Sequence, residues 1–217
     1  MGTNNMTINK TVIIKSAWIL GLFSLIGIGL VSLTHTLTHE KIIENERQFV
    51  LKNLRALVPE SLHDNDLLED TVRASAPEFF GNEHAVTVYK AFKQQQLVAI
   101  IASPTAPDGY NGSIKLLIAI RQNGELMGVR VVAHQETPGL GDAIDSNKSD
   151  WIHAFNGLSL RNPELNAWKV KRDGGHFDQF TGATITPRAV VKMVLKTLQY
   201  YQANKTTLAI NVVPPNE

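Results

Sequence analysis

Residues 16–33, SAWILGLFSLIGIGLVSL, form an 18-residue run without a charged side chain, and the first acid beyond it is Glu40. As an α-helix rising about 1.5 Å per residue this run reaches roughly 27 Å, close to the roughly 30 Å hydrocarbon core of a bilayer. It is apolar on every face and contains Gly21, Gly27 and Gly29, which suits a membrane helix better than a helix buried in a soluble core. Lys10 and Lys15 would also serve a secretory signal. The run is longer than the about 7–15 apolar residues of such signals, and no Ala-x-Ala site follows, so the pattern indicates an uncleaved anchor.

Charge sets the orientation. Lys10 and Lys15 are the only charged residues before Glu40, whereas the remainder carries 19 basic and 20 acidic residues. A basic flank stays in the cytoplasm, which places nearly all of the chain on the periplasmic side of a bacterial inner membrane. With 21 Lys+Arg against 20 Asp+Glu over 217 residues, there is no basic excess of the kind that marks a nucleic-acid binder. The chain has no cysteine, which excludes disulfides, thiol catalysis and cysteine-held iron–sulfur clusters. If it moves electrons, an organic cofactor must carry them.

Beyond the anchor the patterning is α+β, with antiparallel hairpins and helices in one exported domain. Residues 40–58 place Ile42, Ile43, Phe49, Val50, Leu54, Leu57 and Val58 at near-helical spacing up to Pro59, which predicts that the membrane helix continues into a juxtamembrane helix. Val86, Val88 and Phe92, then Val98 and Ile100, alternate around Gln94-Gln95-Gln96 as a short hairpin. Apolar runs at 114–120 and 126–132 flank Gln122-Asn123-Gly124-Glu125, a strong hairpin signal. Residues 140–157 read as a helix presenting Trp151, Ile152 and Phe155, residues 168–172 as a strand, and Asp173-Gly174-Gly175 as a turn. From Pro187 to about Ala203 the apolar spacing is helical again, with Thr186 as a candidate cap. The resulting organisation is a cytoplasmic N-terminus at 1–15, a transmembrane helix at 16–38, a juxtamembrane helical segment and linker at 39–85, the folded domain at 86–205, and a flexible tail at 206–217.

The chemistry concentrates in Asp178-Gln179-Phe180-Thr181-Gly182-Ala183-Thr184-Ile185-Thr186-Pro187. Read physically, this is a loop of small residues feeding a helix start, whose free N–H groups and dipole favour an anion. Glu136-Thr137-Pro138-Gly139-Leu140-Gly141 forms a second loop, whose glycines let the backbone approach a flat ring while Glu136 and Thr137 offer hydrogen-bond partners. Leu140 is a candidate to pack on such a ring, and Trp151 and Trp168 read as core. Helix entries and ordinary caps make the same patterns, so the residues by themselves leave both readings open. His35 and His39 stand four apart without a third ligand nearby, which fits interfacial histidines better than a metal site. There is no glycine-rich dinucleotide fingerprint and no nucleophile elbow.

Asp178-x-x-Thr181-Gly182-Ala183-Thr184 resembles, at every specified position, the signature at which a flavin transferase joins FMN through a phosphodiester to the last threonine. Gly109-Tyr110-Asn111-Gly112-Ser113-Ile114 and the stretch from Glu136 to Asp142 resemble the two upstream motifs of the same FMN-binding domains. With the anchor and residues 177–191, the likeness covers most of the chain and points to the G subunit of the Rnf electron-transport complex. The C subunit of the sodium-translocating NADH:quinone reductase is the similar alternative; the chain's length and lack of a large insertion favour the Rnf protein.

The resemblance implies a phosphoprotein with covalent FMN on Thr184, surrounded by Thr181, Gly182, Ala183, Glu136, Thr137 and Leu140. Asp178, with Thr181 to Thr184, would be what the flavin transferase recognises. It further implies an electron-carrying subunit, without independent catalysis, of a translocase coupling NADH and ferredoxin to Na+ or H+ movement. Its partners would be the other subunits of that membrane complex, the flavin transferase during maturation, and lipid. A rival of another class is a non-redox, membrane-anchored binding or scaffold module in which Thr-Gly-Ala-Thr only starts a helix.

Overall fold

The structure, a computed structural model, describes residues 10–81 and 85–209. It divides into two units, Met1–Phe49 and Val50–Glu217. The first nine residues of the expected cytoplasmic segment and residues 210–217 of the expected tail lie outside the described residues.

Helix α1 (Lys10–Leu57) is continuous, as the periodicity of 40–58 predicts, and it is long and apolar enough to cross a membrane. Among the described side chains of its portion in the first unit none is buried: Trp18 is 77% and Leu25 72% exposed. An apolar surface of this kind is stable only against lipid or other helices. The polar stretch after residue 33 satisfies its own hydroxyls, because Thr34, Thr36 and Thr38 donate to the carbonyls of Leu30, Ser32 and Thr34 at 2.8, 2.9 and 2.7 Å. His35 and His39 stack at 5.2 Å on that helix.

The second unit is built on an antiparallel sheet of β1 (Thr71–Ala74), β2 (Val86–Lys93), β3 (Gln96–Ser103), β4 (Thr105–Ala106), β5 (Ile114–Arg121) and β6 (Leu126–Ala133). The order is β1-β2-β3-β5-β4, and β6 also pairs with β5. Both expected hairpins are present. Gln94 and Gln95 alone turn the first, at φ 50° and 62°, and Gln96 already pairs with Lys93. In the second, Gly124 takes φ 93° and the Asn123 side chain accepts the Glu125 N–H at 3.0 Å. The short helix α2 (Pro77–Phe80) and β1 fall in residues 60–81, where no periodic signal is legible.

The strands are covered on both faces, which is why Leu116 to Ile120 is continuously apolar. Successive residues point to opposite sides. Ile100, Leu116, Ile118 and Ile120 pack with Val190, Val194, Leu198 and Tyr201 of α3 (Ile185–Ala209). Ala99, Ile101, Leu117 and Ala119 pack with Leu54, Leu57, Val58 and Leu67, so the end of α1 is a layer of the second unit. Helix α3 also runs past the expected Ala203, because Leu208 is buried on it.

Two expectations are corrected. Residues 140–157 are not an α-helix but two 3-10 turns, Gly141–Ile144 and Trp151–Phe155. Short polar side chains in and between them capture the backbone: Asp142 accepts the Gly139 N–H at 2.8 Å, Asp145 that of Asn147 at 2.9 Å, and Ser149 donates to the Ala143 carbonyl at 2.6 Å. Residues 168–172 are not a strand. Val170 makes a single parallel bridge to Phe177, and Lys171–Asp173 is a 3-10 turn. The segment closes on itself, with Gly175 so near Lys169 that a Cβ there would lie 2.0 Å from its carbonyl oxygen. Trp168 is core, as expected. Trp151 is only half-buried, edge-on to Phe155 and Phe180, and donates Nε1–H to the Asp178 carbonyl at 2.7 Å.

Leu54 has no exposed surface. Leu54→Ala should destabilise the second unit by about 3 kcal/mol, read from the urea midpoint of the detergent-solubilised protein. Leu25→Ala should leave that midpoint unchanged.

Candidate functional site

A cleft of about 370 Å³ is lined by Tyr110, Glu136, Thr137, Leu140, Gly141, Gly182, Ala183, Thr184, Ile185 and Thr186. All three sequence motifs therefore meet at one place. The volume is that of a small-molecule site, and the cleft carries exposed apolar groups, since Tyr110 is 68% and Leu140 and Ile185 each 45% exposed.

Glu136 ties the motifs together and is only 4% exposed. Its Oε1 accepts the Asn111 N–H at 3.2 Å, and its Oε2 accepts the Thr186 hydroxyl. The Asn111 side-chain amide donates to the Gln135 carbonyl at 2.7 Å, and the Glu136 N–H donates to His134 Nδ1 at 3.1 Å. Two glycines make room for this carboxylate. A Cβ at Gly109 would lie 2.8 Å from Oε1, and one at Gly141 2.7 Å from Oε2. Gly141 thus serves the packing of Glu136, while Gly139, at φ 77°, faces open space.

The Thr181-Gly182-Ala183-Thr184 stretch is a tight turn. Gly182 adopts φ 79°, Ala183 N–H donates to the Phe180 carbonyl at 3.1 Å, and a side chain at 182 would meet Leu140. The turn delivers Thr184 to the residue before α3, where its carbonyl accepts the Arg188 N–H at 3.4 Å. Thr186 is therefore not the cap. It lies in the first turn with no exposed surface, bonded to Glu136, and Pro187 beside it loses nothing by lacking an N–H there.

Thr184 is half-buried, and its Oγ1 accepts a hydrogen bond from Arg172 Nη1 at 3.4 Å. Thr181 and Gly182 are exposed, Ala183 and Thr137 half-buried. Asp178 is exposed and pairs with Lys171 at 2.7 Å. Arg188 clasps both oxygens of Asp173 at 2.5 and 2.7 Å, which holds the Asp173 carboxyl below the usual aspartate range. Lys192 joins Asp108 at 2.5 Å, linking α3 to the loop that carries Tyr110. Arg172 and Thr186 escape sequence reasoning as site residues. The only local signal for the former is the basic pair Lys171-Arg172 just upstream of the motif.

Residues 6–57 match the family of the RnfG N-terminal region, and residues 109–199, which contain all three motifs, match the FMN-binding domain. A protein of Pseudomonas aeruginosa, named as the G subunit of an ion-translocating oxidoreductase complex, is 47% identical over 90% of this chain and 91% of its own. Proteins of the same name from Shewanella loihica and Vibrio atlanticus are each 45% identical, over 92% and 89% of this chain and 94% and 92% of theirs. The chain belongs to the RnfG family.

Membership accounts for the combination of an apolar helix with an α+β domain whose three loops converge. The residues present also fit FMN: a half-exposed hydroxyl, exposed apolar groups for the ring system, and a guanidinium at the hydroxyl.

Gly141→Ala should cost about 2 kcal/mol, because it drives a methyl group into a buried, hydrogen-bonded carboxylate, and thermal denaturation measures this. The Asp173–Arg188 pair stabilises the fold only while Asp173 is charged. Because its folded-state pKa is lowered, that contribution is complete above the ordinary aspartate range, near about pH 4, and is lost as the pH falls further. Melting curves of Asp173→Asn should therefore lie below wild type at neutral pH and converge with it under acid.

Proposed function

We propose that this protein carries FMN on Thr184 through a phosphodiester and relays electrons within its membrane complex. The observation that supports the reading is that Thr184, the last residue of a complete Asp-x-x-Thr-Gly-Ala-Thr signature, lines the cleft on which all three motifs converge. In the attachment step, catalysed by a separate flavin transferase, the Thr184 oxygen forms a bond to the FMN phosphorus of FAD. The pyrophosphate P–O bond breaks, AMP leaves, and the hydroxyl proton passes to the transferase or solvent, with no change of oxidation state.

Bound FMN supplies the electron chemistry. The chain's residues hold and orient it. Leu140, with Tyr110 and Ile185, offers apolar surface to the ring system, and Thr137 offers a hydrogen-bond partner. Glu136, both of whose oxygens are engaged, keeps the loops in register. Asp178, with Thr181, Gly182 and Ala183, presents the motif to the transferase on an exposed turn. Covalent attachment suits a periplasmic domain, from which a diffusible flavin would be lost.

The anchor docks the protein beside polytopic partners, with Lys10 and Lys15 in the cytoplasm. Residues 16–33 hold no ionisable side chain, so the ion path lies in those partners, and Gly21, Gly27 and Gly29 allow them a close approach. The complex couples electron flow between NADH and ferredoxin to Na+ or H+ movement.

Full-length protein co-expressed with a flavin transferase should give an ultraviolet-fluorescent band on a denaturing gel. Thr184→Ala should abolish the band and leave the fold intact, whereas Thr184→Ser should retain part of it. Covalent flavin persisting in Thr184→Ala would overturn the assignment.

A further inference from the structure

We infer that Arg172 is the counter-ion of the phosphodiester on Thr184, an inference that rests on the reading of Thr184 as the flavin-bearing residue. Residues 171–188 contain three cationic side chains, Lys171, Arg172 and Arg188, and two carboxylates, Asp173 and Asp178. The carboxylates are already taken: Asp178 pairs with Lys171 at 2.7 Å, and Asp173 binds Arg188 through both oxygens. Arg172 makes no salt bridge among the described residues. Its Nη1 is instead directed at Thr184 Oγ1, 3.4 Å away, and its backbone N–H is held by the Gln179 side chain at 3.1 Å. Gln179 follows Asp178 directly, at one of the unspecified positions of the motif, so the loop that delivers Thr184 also seats Arg172.

The charges balance. The segment has one positive charge in excess, and esterification of Thr184 adds one negative charge on two non-bridging oxygens. Those oxygens sit on the phosphorus bonded to the atom that Arg172 already contacts. A guanidinium presents parallel N–H donors that match two such oxygens, which an ammonium group does not. Arg172 is therefore a positioning residue for the phosphoryl end of the cofactor, separate from the apolar groups that meet the ring.

The test uses full-length protein in detergent, before loading and after complete loading by the transferase with FAD. Reaction of Arg172 with phenylglyoxal is followed by peptide mapping. Loading should slow that reaction at least about fivefold, and roughly 1 M NaCl should restore most of the rate, because salt screens an ion pair. Arg172→Gln should load about tenfold more slowly than wild type, and Arg172→Lys within about threefold, because lysine keeps the charge but not the fork.

Three results overturn the inference alone: equal reactivity of Arg172 before and after loading, protection that salt does not relieve, which is steric cover by the flavin, or wild-type loading of Arg172→Gln. A wild-type protein that takes up no covalent flavin shows instead that the reading of Thr184 has failed, and the inference falls with it.

Discussion

The Glu136 carboxylate holds together loops that lie 25 and 50 residues from it in the chain. A buried carboxylate is costly unless its oxygens are hydrogen-bonded, so its neighbours are tightly constrained. Asn111 must turn its N–H inward, Thr186 must face the core from the first turn of α3, and positions 109 and 141 must lack a side chain. The cleft is the other side of this arrangement. Tyr110, Leu140 and Thr184 border one cavity because Asn111 N–H and the Thr186 hydroxyl bind the two Glu136 oxygens and Gly141 packs closely against one of them.

That clasp works only because both sides it joins are anchored. Helix α3 is buried along one face against the sheet, and Lys192 and Arg188 fasten its outer side to Asp108 and Asp173. On the opposite face the end of α1 packs over β3 and β5. The sheet is therefore the middle of three layers, and the site sits where loops from the middle layer meet the start of an outer helix. Loops on a rigid scaffold are the usual place for function. Here the scaffold brings Thr184 and exposed apolar groups to one cleft and sets the Arg172 guanidinium against the Thr184 hydroxyl.

Much of this was legible in the residues. The 18-residue uncharged run, Asn123-Gly124 between apolar segments, and the apolar spacing after Pro187 led to the membrane-competent helix, the second hairpin and α3. The stretch 140–157 misled because its apolar spacing is helical while Asp142, Asp145 and Ser149 bind the backbone in competing turns. Residues 168–172 misled because β-prone Trp168 and Val170 are held by a loop closing on Phe177, not by a neighbouring strand. Thr186 looked like a cap by its position before Pro187, and only its burial beside Glu136 shows its actual partner.

By itself, the sequence determined the features that depend on residues close together in the chain: the apolar helix, the hairpins, the turn at Gly182 and the motif ending at Thr184. Local periodicity and backbone preference suffice for these. Tertiary structure alone decided that Glu136 serves Asn111 and Thr186, that Gly141 accommodates a carboxylate, and that Arg172 faces Thr184. Such contacts depend on how the sheet, α3 and the loops stack on one another. Burial and the demand that every buried polar group find a partner govern that stacking, and neither can be read from local spacing.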